Sequence, residues 1–381
     1  DLMCNRVRRA AVFAGAAVLF HILVGGWVLM GLGIAVLADR RRFPFSQLVT
    51  FVLISVVVIT PMIIPVLNYH KSSTTSTAKD AAETDFAADN FDADRMIVKF
   101  RNPHHLDPDR VLIRKVVSRT VFMIVALFGC FYITQRDRDA TLLIVFTSFL
   151  MSLWIIAFIA GKAQWYWPLK FYLFRVGDTV LPLLFWLCVP AWAFNTLLRH
   201  DSSSLAQKMI ALTVWTVAMC WVGLWFPHEV KSKVFQNIRT WQRPPDSELH
   251  AAFNWIRQYT EENDVFLMNP CNLVLGFQLY ADRPVVVNFK SVPYNKQQIA
   301  QWFEKLQAAN GGRSFQSRGF GVCKEINENF PNLNVAHLRS IRERYRARYY
   351  FVDKERPLLQ PMLVFHKGKW NIYDLALMPS L

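Results

Sequence analysis

Long uncharged runs alternate with short basic stretches over the first 226 residues. Leu48 to Leu67, Ala140 to Gly161, Thr179 to Leu198 and Met209 to Phe226 carry no charged side chain, and each is long enough to cross a ~30 Å hydrocarbon layer at ~1.5 Å per residue. Thr120 to Gln135 is a shorter run of the same kind. Inside lipid a backbone must satisfy its own hydrogen bonds, so these runs predict helices in spite of their Val and Ile content. The pattern predicts spans at about 48–67, 120–135, 140–161, 176–198 and 209–226.

The uncharged stretch from Ala10 to Ala38 is long for one crossing. It is interrupted by His21 and by Gly25 and Gly26, and Arg6, Arg8 and Arg9 flank it on one side, Arg40, Arg41 and Arg42 on the other. If both basic clusters stay in the cytoplasm, the segment 10–38 is a re-entrant hairpin turning at His21 to Gly26; a single tilted helix is the alternative. On the hairpin reading 68–119 is an outer loop, Arg136 and Arg138 return to the cytoplasm, and the chain leaves the last span on the outer side. Within that loop Ser72 to Asn90 is poor in bulky apolar residues and is expected to be a flexible insertion.

After Phe226 the pattern changes to short strand-like and helical segments of ordinary polarity. Asp246 or Ser247 can cap a helix through Tyr259, with Leu249, Phe253 and Ile256 at helical spacing. Strand-like runs follow at Val265 to Met268 and Pro284 to Phe289, then helices at Gln297 to Leu306 and Ala336 to Ala347, then a strand at Tyr349 to Val352. Met362 to Phe365 and Trp370 to Leu375 flank His366-Lys367-Gly368-Lys369 as a hairpin. The predicted fold is an α-helical polytopic membrane bundle over 1–226 followed by a small α/β soluble domain over 227–381, with a largely parallel sheet.

Composition sharpens this picture. The chain is 53% hydrophobic and only 19% charged, lean for a soluble protein. Its net charge of +15 is accounted for by basic residues facing lipid headgroups, and the absence of any zinc-finger, RNA-recognition or helix-turn-helix pattern argues against nucleic acid. Cys130, Cys188 and Cys220 lie inside apolar runs, whereas Cys271 and Cys323 can pair if their domain faces an oxidising compartment.

Several polar groupings carry candidate chemistry. Arg101-Asn102-Pro103-His104-His105-Leu106-Asp107-Pro108 joins a guanidinium and two imidazoles, donors that match a lipid phosphate; a rigid turn or a metal contact are the other readings. Arg175 and Asp178 share a helix face at the start of a span, where ionisable groups either pair and snorkel or serve function. Lys290 and Tyr294, with Asn288, follow a strand at the carboxyl end where α/β sheets hold ligands. His21, at the hairpin tip, is a further candidate for a lipid-linked substrate. Among these groupings Arg101, His104, His105, Arg175, Asp178, Lys290 and Tyr294 are the candidate substrate-binding residues. No metal or cofactor signature stands out, and no catalytic residue is assigned.

The basic-flanked hairpin around Phe20 to Trp27, the spans after it and the terminal α/β domain resemble the C-terminal portion of a C-type, polyprenyl-phosphate-sugar-dependent glycosyltransferase. Phe100 to Pro108, Tyr172 to Pro182 and Phe253 to Lys290 resemble more closely an uncharacterised bacterial membrane family with a C-terminal domain of unknown function. The transferase resemblance implies sugar transfer from a lipid-phosphate carrier to an extracytoplasmic acceptor, with membrane lipid and a polyprenyl-phosphate sugar as partners. It also implies residence in the bacterial inner membrane with the C-terminal domain extracytoplasmic. In C-type transferases the catalytic acid sits in the first outer loop, a role no position here inherits, so a non-catalytic component of envelope polysaccharide assembly or transport is the alternative. The chain begins at Asp1 with no cleavable-signal pattern, which reads as a missing upstream portion.

Overall fold

A computed structural model of the chain describes residues 2, 5–80, 91–110, 140–175, 205–206, 208–209, 212–213, 216, 247–272, 274–293 and 295–379. It is mostly helical, with one small mixed sheet towards the C-terminus. Two compact units divide it: Asp1–Phe86 with Asn102–His228, and Ala87–Arg101 with Glu229–Leu381. The predicted spans at 120–135 and 176–198, and most of 209–226, lie outside the described residues.

In the first unit, α1 (Val7–Phe20) and α2 (Ile22–Ala38) are separated by a single extended residue, His21. The close approach at this break requires glycine, because a Cβ at Gly25 would land on the Ala17 carbonyl. Arg42 Nε donates to Asn5 Oδ1 at 2.5 Å, so the two basic clusters share one end of the α1–α2 pair and His21 sits at the other. The helix α3 (Phe45–Asp80) runs alongside α1 in the same direction: Ser55 Oγ donates to the Ala11 carbonyl at 3.3 Å, and Gly15 abuts Val58. It passes through Pro61 and Pro65 and continues to Asp80, so Ser72 to Asp80 is helical where a flexible insertion was expected. The Ser, Thr, Ala and Lys residues there are weak core formers, yet none of them breaks a helix already begun.

A fourth helix, α4 (Ala140–Lys162), crosses α2 where Gly31 meets the rings of Phe146 and Phe149. Trp27 Nε1, in the second turn of α2, donates to the Phe171 carbonyl at 3.0 Å, past the end of α4. The two helices are therefore antiparallel. Phe45–Pro65 and Ile144–Lys162 are long and apolar enough to cross a membrane, and Ile22–Ala38 is a shorter apolar helix. Phe13, Phe20, Leu53, Val57 and Ile159 are each more than half exposed. Bulky apolar side chains left bare in such number need a covering surface.

The second unit is built on four strands, β1 (Val265–Leu267), β2 (Ala347–Val352), β3 (Leu363–Lys367) and β4 (Trp370–Asp374), in the order β1-β2-β4-β3. Only β1 and β2 are parallel; β4 pairs antiparallel with both β2 and β3. The sheet is thus mixed rather than largely parallel, because the terminal hairpin adds two antiparallel ladders. The predicted strand at Pro284 to Phe289 shrinks to one bridge, Val285 against Phe266, in which the Phe266 N–H donates to the Pro284 carbonyl and the Val286 N–H to the Phe266 carbonyl.

Alternation along β2 fixes a three-layer arrangement. Tyr349 and Phe351 face a core with Leu249, Phe253 and Ile256 of α5 (Ser247–Tyr259) and Phe277 of α6 (Val274–Tyr280). Tyr350 and Val352 face the opposite core, with Trp302 and Leu306 of α7 (Lys296–Ala309), Ile326 of α8 (Gly321–Asn329) and Leu338 of α9 (Val335–Tyr345). Asn295 caps α7 by accepting from the Gln297 N–H, and Asn334 caps α9 through the His337 N–H. A disulfide joins Cys271, just after β1, to Cys323 in α8, with their Cα atoms 5.5 Å apart.

Candidate functional site

The break between α1 and α2 gathers side chains from three distant parts of the first unit. His21 has extended backbone angles, and its Nδ1 accepts from the Val24 N–H at 3.4 Å, capping α2. Arg175 extends Nη1 to within 3.2 Å of His21 Nε2 and Nη2 to within 3.4 Å of His105 Nε2. One planar fork therefore meets two imidazoles that lie 154 and 70 residues away in sequence.

Local chemistry puts each group there. Pro103 opens the single turn Pro103–Leu106 that carries both His104 and His105, whose rings are 4.0 Å apart. Tyr172 adopts φ +58, a left-handed conformation that costs a residue with a Cβ about 1 kcal/mol or more. The Arg175 N–H then donates to the Tyr172 carbonyl at 2.8 Å, which folds the arginine back over the tyrosine ring, 5.8 Å away. Asn102 Nδ2 donates to Tyr172 Oη at 2.6 Å, tying the His-bearing turn to the same residue.

Hydrogen-bond capacity at His21 defines what the cluster can do. A neutral imidazole offers one acceptor nitrogen and one N–H, and the cationic ring offers two N–H groups. Both ring nitrogens of His21 nonetheless face donors, Val24 N–H and Arg175 Nη1. Where a ring N–H and a guanidinium N–H meet, an acceptor can sit between them. An oxyanion bridging the guanidinium and an imidazole N–H supplies it, and charge-assisted bonds of this kind are about twice as strong as neutral ones.

The remaining sequence candidates are distributed differently. Arg101 belongs to the second unit, is buried, and donates from Nε to the Phe289 carbonyl at 2.8 Å with its guanidinium 4.3 Å from the Phe289 ring. It is a structural anchor for the segment 91–101, whose Phe100 also packs edge-on against Phe303 at 5.1 Å. Its hydrogen bond to main chain holds the side chain within a protein core. Lys290 is exposed, and its N–H donates to Asn288 Oδ1 at 2.9 Å. Asp178 and Tyr294 lie outside the described residues. Among the described residues no group of three or more His, Cys, Asp or Glu is arranged to hold a metal ion.

Sequence reasoning missed Tyr172 and Asn102 as partners of the cluster. Both lie inside strings singled out for other reasons, Tyr172 to Pro182 and Phe100 to Pro108, but nothing in the spacing links them.

A family model described as a domain of unknown function, DUF6798, matches residues 247–309, which run from α5 through α7. No curated protein and no solved structure matches the chain.

Proposed function

We propose that this chain is part of an integral membrane protein of glycosyltransferase-like type, which holds the phosphate of a lipid-linked sugar at the His21–His105–Arg175 cluster for transfer to an extracytoplasmic acceptor. The observation that carries the reading is the Arg175 fork meeting two imidazoles at the end of the α1–α2 pair opposite the basic clusters.

Three further features support it. Bare apolar side chains on α1, α3 and α4 suit lipid as their solvent. Trp165 and Trp167, both more than half exposed and stacked 6.4 Å apart, follow Lys162 at the end of α4, the arrangement favoured at a membrane–water boundary. With the basic clusters cytoplasmic, that boundary is the outer one, where a phosphate headgroup lies level with His21. The Cys271–Cys323 disulfide favours an oxidising compartment for the C-terminal unit, consistent with a bacterial inner-membrane protein whose C-terminal domain is extracytoplasmic.

The test is binding of a polyprenyl phosphate and of the matching polyprenol to the full chain in lipid nanodiscs, read by native mass spectrometry. The phosphate is expected to bind more tightly than the alcohol, and Arg175→Gln or His105→Ala to weaken the phosphate alone by tenfold or more. Equal binding of phosphate and alcohol, or variants that bind as the parent does, would reject the proposal.

A further inference from the structure

The second unit contains an open pocket of about 410 Å³, within the ~300–1,000 Å³ range of small-molecule sites. It lies where β1 and β2 end: Met268 to Asn272 follow β1, Val352 and Asp353 close β2, and Lys369 and Trp370 open β4 beside them. The carboxyl edge of parallel strands is where open α/β sheets take ligands.

Its polar rim is ordered. Asn269 and Asn272 each donate an amide N–H to Asn327 Oδ1, at 2.9 and 3.0 Å, and Asn269 Oδ1 accepts from the Cys271 N–H at 3.0 Å. With its NH2 engaged at Asn327, Asn272 keeps its oxygen as an acceptor at the rim. The disulfide at Cys271 pins the same loop to α8. Asp353 adds a carboxylate and Lys369 an ammonium, both exposed and in no ion pair among the described residues. Lys369 Nζ sits 5.0 Å from the Trp370 ring centroid. Trp370 is more than nine-tenths buried, so what it offers the pocket is part of an aromatic floor.

Acceptors at Asn272 and Asp353 and a donor at Lys369 thus stand over a partly aromatic floor of Phe330, Phe351 and Trp370, and the two rim charges cancel. A strongly anionic ligand would meet Asp353, and a purely apolar one would strip water from the amides and charges. A polyhydroxylated, uncharged ring satisfies both constraints, because each hydroxyl both donates and accepts. We infer that this pocket is a carbohydrate-binding site for neutral sugar residues, with Asn272 and Asp353 as hydroxyl-contacting groups. The inference is drawn from the pocket's own lining and stands independently of the lipid-phosphate cluster.

The experiment uses the full chain in nanodiscs with its disulfide intact, applied to an array of neutral and uronic-acid oligosaccharides and then titrated calorimetrically with the best-retained compound. Retention of a neutral saccharide is expected, weakened at least tenfold in Asp353→Ala and in Asn272→Ala; both positions are exposed, so the fold tolerates the changes. Absence of saccharide binding by the parent chain, exclusive retention of uronic acids, or full binding by both rim variants overturns the inference. Arg175→Gln is expected to bind the saccharide normally, which separates this outcome from that of the lipid-phosphate assay.

Discussion

The guanidinium of Arg101 lies against the ring of Phe289 at 4.3 Å while its Nε donates to the Phe289 carbonyl at 2.8 Å, so this residue pair helps join the segment 91–101 to the loop before α7. A charged donor to a buried carbonyl is worth about 1.5–3 kcal/mol, and a desolvated cation over an aromatic face adds to it. Arg101→Ala should lower the stability of the second unit by about 2–4 kcal/mol, read as an earlier melting transition. Arg101→Lys should recover only part of the loss, because an ammonium lacks the planar fork. Unchanged melting with lost lipid-phosphate binding would show that Arg101 acts on the ligand instead.

Gly31 is the contact point of α2 and α4, where an added Cβ would lie 2.8 Å from the Phe146 ring and 2.9 Å from Phe149. Small residues let apolar helices approach closely, so Gly31→Val should force them apart at a cost of about 1–3 kcal/mol. Gly26, one turn and more towards His21, has nothing within 4 Å of its added Cβ, and Gly26→Ala should be nearly silent. Thermal aggregation of the two variants in detergent makes the comparison.

Cys271 and Cys323 close a loop of 52 residues. A cross-link of that length stabilises by about 4 kcal/mol in the chain-entropy model. Cys271→Ser should therefore lower the melting point of the second unit markedly and loosen the pocket rim at Asn269 and Asn272. Alkylation of thiols in intact cells, with and without reductant, reports whether the pair is oxidised in place. Ready alkylation without reductant would contradict an extracytoplasmic position.

Tyr350 is fully buried and donates its hydroxyl to the Phe330 carbonyl at 2.7 Å. Burial raises its pKa well above the ordinary tyrosine value. A group whose folded pKa is raised gives stability that is complete below the unfolded value, near 10, and is lost as pH climbs beyond it. The second unit should lose about 1.4 kcal/mol per pH unit above pH ~10 from this residue alone. Lys305 acts in the opposite sense, since burial lowers its pKa, but Tyr345, Tyr349 and Tyr373 are all raised as well. Chemical denaturation between neutral and strongly alkaline pH checks the slope, and Tyr350→Phe should flatten it.

The helices with a continuous apolar stripe were the legible part of the chain. Leu249, Phe253 and Ile256 mark α5, and the helix observed is Ser247–Tyr259. The expected helix at 297–306 lengthens to Lys296–Ala309, with Asn295 capping its start. Short helices without such a stripe went unseen: α6 spans two turns, and α8 starts at Gly321 with no side-chain cap. The double-His turn and Arg175 were each visible as unusual strings. Their meeting was not, because it depends on how α1, α2 and the turn at Tyr172 pack across more than a hundred residues. The pocket residues were less legible still, since Asn269, Asp353 and Lys369 are ordinary loop residues until the sheet order brings β1, β2 and β4 side by side.

The second unit is discontinuous, and that bears on how the protein is made. Phe100 and Arg101 leave the ribosome well ahead of Phe289, which lies 188 residues beyond Arg101 and holds it. At roughly 5–20 residues per second, that is a delay on the order of ten seconds or more. During that interval a greasy strip, its three Asp balanced by three basic residues, has no finished domain to dock on, and a chain begun at Glu229 would lack it altogether. Expression of the C-terminal unit by itself should therefore yield sticky material that a synthetic peptide of residues 87–101, supplied in trans, brings into solution.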